Sequence, residues 1–224
     1  VAISVTNRTS SYDSTSDTTQ YITASVSIAA GSVVLVSVFC CVASGTAPTI
    51  TVSGLTLTWA ESAMTAFSGA VRRIAVWEAF SASAQTGTIT IDHNIASTGT
   101  GWSVNEVTGM DTSDPVLQPT TATGNSGTAL VTLAAAGNSD NRPFLSEAHR
   151  SSSASTSEAS WTLLSTNNSG GPNMGHGAHW RSDTFDTTAT ATFTTQEWGA
   201  IALEIKNASG PASPVIEFNV PFVG

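Results

Sequence analysis

Val33-Val34-Leu35-Val36-Ser37-Val38-Phe39-Cys40-Cys41-Val42 is apolar at alternate positions of both parities, with Ser37 the interruption. Successive strand residues point to opposite faces, so this run reads as a central strand covered on both sides. It is too short for a transmembrane span. Upstream, Ile22, Ala24, Val26 and Ile28 alternate with polar residues and share one side of a half-buried strand, and Ala30-Gly31-Ser32 turns the chain between the two. Downstream, strand-like runs recur at 49–52, 55–62, 72–80, 88–92, 102–107, 129–134, 143–149, 160–165, 176–181, 189–194 and 200–205. Turn signals separate them at Ser53-Gly54, Thr98-Gly99, Asn125-Ser126-Gly127 and Ser169-Gly170-Gly171-Pro172. No stretch sustains a helical period. Many short strands at this spacing predict an all-β sandwich or jelly roll.

The strands come in two sets. Leu57-Thr58-Trp59-Ala60 answers Ala159-Ser160-Trp161-Thr162, and Ile74-Ala75-Val76-Trp77 answers Gly177-Ala178-His179-Trp180. Thr88-Ile89-Thr90-Ile91 and Thr190-Ala191-Thr192-Phe193 alternate in the same phase. Trp102 stands four residues before Glu106, and Trp198 stands six before Glu204. Both spacings are even, so Trp and Glu share a face in each copy. All six tryptophans fall into these pairs, which favours core or inter-sheet packing over a sugar-stacking platform. The expected fold is a jelly-roll-like antiparallel β-sandwich built from two pseudo-repeated halves, about 21–115 and 128–206. Residues 1–20 form a polar arm before it, the nearest break between the halves is Pro115 to Gly127, and 207–224 follow as a linker and terminal strand.

Composition narrows the function. The 224-residue chain carries 7 Lys and Arg, of which only Lys206 is lysine, and a net charge of −9. Nucleic acid and anionic membrane need clustered cations, so neither is expected as a partner. Solubility rests on Ser, Thr, Asn and Gly, a neutral surface suited to packing against other subunits or to a sugar. Cys40 and Cys41 are adjacent, so a mutual disulfide would be strained. They read as free, small apolar residues, which leans toward folding in a reducing cytoplasm.

Candidate chemistry is sparse. His176 and His179 lie three apart, which on a strand puts them on opposite faces and disfavours shared metal ligation, although Gly175 and Gly177 allow irregular backbone. His93 and His149 stand elsewhere. Asp111-Thr112-Ser113-Asp114-Pro115 has the oxygens for calcium but reads first as an Asx-turn. Asp13 and Asp17 read as solvated. Glu106 and Glu204 are equivalent under the repeat and read as structural acceptors rather than a glycosidase pair. There is no G-x-S-x-G, P-loop or G-x-G-x-x-G. No catalytic residue, metal or cofactor is expected.

The termini are what the repeat leaves unmatched. Ile3 and Val5 are the apolar residues of the arm. Val215, Ile216, Phe218, Val220 and Phe222 form an apolar strand behind a Ser/Gly/Pro linker. Such a strand folds back on its own sheet or adds to a neighbour's edge. These seven residues are the assembly candidates.

Several stretches resemble a repeated β-sandwich domain of tailed-phage virion proteins and bacterial surface proteins. Val26 to Val36 resembles its opening strand, Ala-Gly-Asp/Ser turn and long apolar strand. Thr56-Leu57-Thr58-Trp59 and Val76-Trp77-Glu78-Ala79 are similar to two of its tryptophan strands. Glu106-Val107-Thr108-Gly109-Met110-Asp111-Thr112-Ser113-Asp114-Pro115-Val116 resembles its E-x-x-G-x-D-T-x-D-P turn. The resemblance spans about 21–206, implies a structural or attachment role, and carries no catalytic residues. The expectation is a virion structural protein, a capsid decoration (cement) protein of a tailed bacteriophage. It would assemble in the host cytoplasm with other virion subunits and form a homo-oligomer. The alternative is a tail-fibre or cell-surface adhesin, or a carbohydrate-binding module, with a glycan as ligand and an extracellular location.

Overall fold

A computed structural model describes residues 2–208, which form strands and no helix. Val215, Ile216, Phe218, Val220 and Phe222 lie outside the described residues. The first half runs β1 (Ser4–Asp13), β2 (Gln20–Ile22), β3 (Val26–Ile28), β4 (Ser32–Cys41), β5 (Ile50–Gly54), β6 (Ala60–Phe67), β7 (Arg72–Ser81), β8 (Gln85–Gly87), β9 (Ile89–His93) and β10 (Gly99–Thr108). The second half runs β11 (Val116–Thr132), β12 (Arg142–His149), β13 (Thr156–Ser157), β14 (Trp161–Gly170), β15 (Asn173–Arg181) and β16 (Thr188–Ile205).

All pairings are antiparallel. One large sheet has the order β1-β10-β4-β7-β6, and the other has β11-β16-β12-β15-β14 with β13 added on β16. The two stack face to face: β1 lies against β14, β6 against β11, β10 against β15, and β7 against β16. Their shared core takes Val33, Leu35, Phe39, Ile74 and Val76 from one sheet and Phe144, Ala178, Trp180, Ile201 and Leu203 from the other. The opposite face of β4, with Val34, Val36, Val38 and Cys40, is covered by the small sheet β2-β9-β5. All ten residues of β4 are therefore buried. Cys40 and Cys41 are free and sit in different cores, one on each face of the strand. The outer face of the second sheet is covered by the start of β16 and the end of β11, through Ala129, Val131, Ala189 and Ala191.

Five local expectations change. The half-buried strand expected from Ile22 to Ile28 is two short strands, β2 and β3, and between them the phase switches, so Tyr21 and Thr23 are buried with Val26 and Ile28 while Ile22 and Ala24 are exposed. The segment expected as a polar arm contains β1, which pairs with β10 along its length. Its hydroxyl-rich residues suit an edge strand, wet on one side, while Ile3 and Val5 turn into the shared core. The strand expected at 55–62 is displaced to β6, because Leu55 and Thr56 take left-handed φ of 54° and 49° and turn the chain at Gly54. The expected break from Pro115 to Gly127 is instead the first part of β11, where Pro119 sits in a register shift and takes no ladder bond. Asn125-Ser126-Gly127, expected as a turn, is a second shift in the same strand.

Candidate functional site

Glu106 and Glu204, expected as equivalent carboxylates, are both buried, near the ends of β10 and β16. Arg8 is the extra residue of a bulge in β1, between the pairs Asn7–Asn105 and Thr9–Val104. A bulge re-aims a side chain, and here Arg8 Nε donates to Glu106 Oε2 at 2.7 Å with Nη2 on the same oxygen. Glu106 Oε1 accepts from the Ala29 N–H at 2.6 Å and from Ser32 Oγ at 3.1 Å. Burial pushes the Glu106 carboxyl up, but these donors and the Arg8 charge outweigh it and hold it below its ordinary value. In the second half Gln118 occupies the register shift of β11 and donates through Nε2 to Glu204 Oε2. Glu204 Oε1 accepts from the Gly137 N–H at 3.3 Å and from Asn141 Nδ2. Both carboxylates tie an edge strand and a turn to a central strand, and neither faces the other across a cleft.

The histidines separate. His176 Nε2 lies 2.7 Å from Ser37 Oγ between the large sheets, while His179 Nδ1 lies 2.8 Å from Ser157 Oγ on the outer face. Burial pushes the His176 imidazole down to about 4. His93 is likewise pushed down to about 4 by burial. Among the described residues no group of three His, Cys, Asp or Glu side chains is arranged to hold a metal ion.

His149 and His179 instead meet Glu147, which sequence reasoning did not single out. Glu147 Oε1 accepts from Ser155 Oγ and lies 3.5 Å from His179 Nε2; Oε2 lies 3.8 Å from His149 Nε2. Ser155 Oγ is 3.3 Å from His149 Nε2, and the His149 ring stacks on Phe193 at 4.0 Å. Ser, His and Glu together invite comparison with a hydrolytic triad, but the connectivity differs. A triad carboxylate holds the imidazole nitrogen remote from the serine, whereas here Glu147 and Ser155 approach the same nitrogen and His149 Nδ1 has no partner. Glu147, His149 and His179 are fully buried, so no substrate reaches them. The arrangement is a buried structural network.

The other candidates are placed as follows. Asp111 Oδ1 accepts from Ser113 N at 2.8 Å and Asp114 N at 3.3 Å, as an Asx-turn requires, and Lys206 Nζ stands 3.0 Å from Oδ2. Asp13 caps Thr15 and Ser16 in the same manner. Trp102, Trp161, Trp180 and Trp198 are buried; Trp59 and Trp77 are half-buried against the outer core of the first half. Trp77 and Trp180, aligned in the sequence, pack on opposite sheet faces. Ile3 and Val5 are buried within the chain.

An open site does exist where the two halves meet. A cleft of about 670 Å³ is lined by Ser14, Asp17, Arg72, Thr98, Arg150 and Glu197, among others. Glu197 Oε2 accepts from Ser68 Oγ at 2.7 Å and pairs with Arg150 Nη1 at 3.2 Å. The Ser68 and Arg150 hydrogen bonds hold its carboxyl below the ordinary value. Arg72 donates to Ser68 Oγ at 3.4 Å and to the Asn173 carbonyl at 3.1 Å, and among the described residues its Nε has no partner. Of these residues sequence reasoning weighed only Asp17 as candidate chemistry, and read Thr98 as part of a turn. Arg72 and Arg150 come from different halves, and no local pattern links them. Compared with known proteins, the chain matches no family model, no curated protein and no solved structure.

Proposed function

We propose that the chain is a jelly-roll-like sandwich duplicated within one polypeptide, and that it works by protein–protein assembly as a virion structural protein, a capsid decoration (cement) protein of a tailed bacteriophage. The duplication is supported by the matched carboxylate locks and by the sheet contacts. Exchanging β1 with β11, β10 with β16, β7 with β15 and β6 with β14 maps the contact pairs onto one another, as a pseudo-twofold axis would.

The assembly reading is carried by where exposed apolar side chains fall. Of the six large apolar side chains exposed among the described residues, Tyr12, Ile22, Leu130 and Leu163 lie on the edge strands β1, β2, β11 and β14, while Phe80 lies on the interior strand β7 and Ile95 in a loop. An edge offers unpaired N–H and C=O groups, and apolar side chains along it favour addition of another strand. The E-x-x-G-x-D-T-x-D-P turn at Glu106 to Pro115 adds the resemblance to virion domains.

Co-sedimentation with phage capsid shells tests the reading. The intact chain should bind shells saturably, and Ile22→Lys with Leu163→Lys should abolish binding while leaving the circular-dichroism spectrum intact. A chain that stays monomeric and has no affinity for capsid or tail subunits overturns it.

A further inference from the structure

The cleft between the halves holds a buried arginine that, among the described residues, has no direct ion pair and is linked to Glu197 only through Ser68 Oγ. Arg72 is 8% exposed, yet among the described residues its guanidinium makes no ion pair and its Nε–H has no acceptor. Arginine is almost never this buried unless paired, and a buried charge without a direct partner is costly. The other arginine at the site, Arg150, is already committed to Glu197. Burial lowers the proton affinity of Arg72 more than the nearby Glu197 carboxylate raises it, and an anion in direct contact would oppose that loss.

The lining selects among anions. A volume of about 670 Å³ is within the range of small-molecule pockets and far larger than a bare ion needs. Ser14 and Thr98 supply hydroxyls, while Asp17 and Glu197 supply acceptors. Those two carboxylates repel a doubly charged phosphate but accept hydrogen bonds from ligand hydroxyls. No tryptophan, tyrosine or phenylalanine lines the cleft, so recognition rests on charge and hydrogen bonding rather than ring stacking. We infer that this cleft binds a singly charged, hydroxyl-rich carboxylate of the uronic acid class, with Arg72 on the carboxylate and the Asp17 and Glu197 side accepting from the hydroxyls. The inference stands apart from the assembly reading, since no residue of the cleft is among the exposed edge-strand side chains.

Titration of the whole chain with D-glucuronate and D-galacturonate, followed by calorimetry and by the Arg72 Nε–H resonance, tests it. Glucose, galactose and inorganic phosphate serve as the comparison ligands. One uronate should saturate with Kd of about 1 mM or tighter and shift the Arg72 resonance. Its neutral parent and phosphate should each bind about tenfold more weakly or worse. Arg72→Met should cost a similar factor, about tenfold. Should that variant not fold, Ala43→Trp, at an exposed position on the cleft wall, blocks the site from outside and decides alone. Absence of saturation by both uronates, equal binding of the neutral sugars or of phosphate, or undiminished binding by Ala43→Trp overturns the proposal.

Discussion

The outer faces of the two large sheets both carry an apolar cluster, but only the second adds a buried acidic network. On the first, Val34, Val36, Val38 and Cys40 of β4 pack with Ala75 of β7 under Ile50, Val52, Ile89 and Ile91 of the small sheet. On the second, Leu145, Glu147 and His149 of β12 alternate along the strand, and His179 of β15 joins them under Ser155, Ser157 and Phe193. The strand orders are alike, but the first lid is held chiefly by apolar burial, whereas the second sets a buried polar network centred on Glu147 beside its apolar cluster of Ala129, Val131, Leu145, Ala189 and Ala191. An apolar lid is non-directional and tolerates small changes of shape. A polar lid must satisfy each buried atom, and it constrains its neighbours: a Cβ on Gly177 would sit 2.4 Å from Glu147 Oε1, and one on Gly175 would sit 2.1 Å from His149 Cε1. The glycines of His176's strand, which look like loosening elements in the sequence, are there to admit the side chains of β12.

The sharpest way to break this comparison is to remove the charge at the centre of the polar lid. Glu147→Gln should destabilise the chain by about 1.5–3 kcal/mol, the range for losing a hydrogen bond to a buried charged group, read as a shift in the urea midpoint. In the apolar lid Ile91→Val should cost only about 0.5–1.5 kcal/mol. If the glutamine variant is no worse than the valine one, the network does not depend on charge.

Acid should act next. His93 under the apolar lid and His176 between the sheets are held neutral by burial, each pushed down to about 4. For a base whose folded pKa is depressed, the unfolded chain takes up the proton first. Stability is therefore complete above pH 6.5 and falls as pH drops from about 6.5 to about 4. A full shift of this size is worth roughly 3 kcal/mol per histidine. His93→Phe should flatten the first half's share of that loss, since among the described residues neither ring nitrogen of His93 has a hydrogen-bond partner to forfeit. A melting temperature that does not change between pH 7 and pH 4.5 in the parent chain would contradict this.

What the sequence discloses follows from how local each cause is. β4 was legible because ten consecutive residues obey one rule, burial on both faces. Glu106 and Glu204 were legible as a pair because each keeps an even spacing from a tryptophan on its own strand. Their partners were not, because Arg8 and Gln118 sit on bulges, and a bulge is a property of two strands together. β6 was misplaced because Leu55 and Thr56, good strand residues, are bent into left-handed φ by the turn that Gly54 begins. Trp77 and Trp180 aligned in sequence yet pack on opposite faces, since one residue of register exchanges the two sides of a strand. Glu147 escaped notice because a charge in an alternating strand looks solvent-facing, and its cover comes partly from residues forty to fifty positions later, such as Phe193.

The two carboxylate locks allow the finest comparison, because they differ chiefly in one partner's charge. Arg8 holds Glu106 with a cation, while Gln118 holds Glu204 with a neutral amide. Arg8→Gln rewrites the first lock in the language of the second. The Arg8 side chain is 37% exposed, so solvent screens the pair and the loss should be only about 1 kcal/mol at low salt. That loss should shrink in 1 M salt, where charges are screened over roughly 3 Å, whereas the cost of Gln118→Ala should be insensitive to salt. The pH response should change too. Glu106 has a depressed pKa, so the stability it contributes is present above its unfolded value and is lost as pH falls through the folded one. Arg8→Gln should move that loss to higher pH, closer to the unfolded value, because one of the donors that hold the proton off is gone. A salt-independent loss in Arg8→Gln would mean that the bulge geometry, not the charge, is what ties β1 to the sheet.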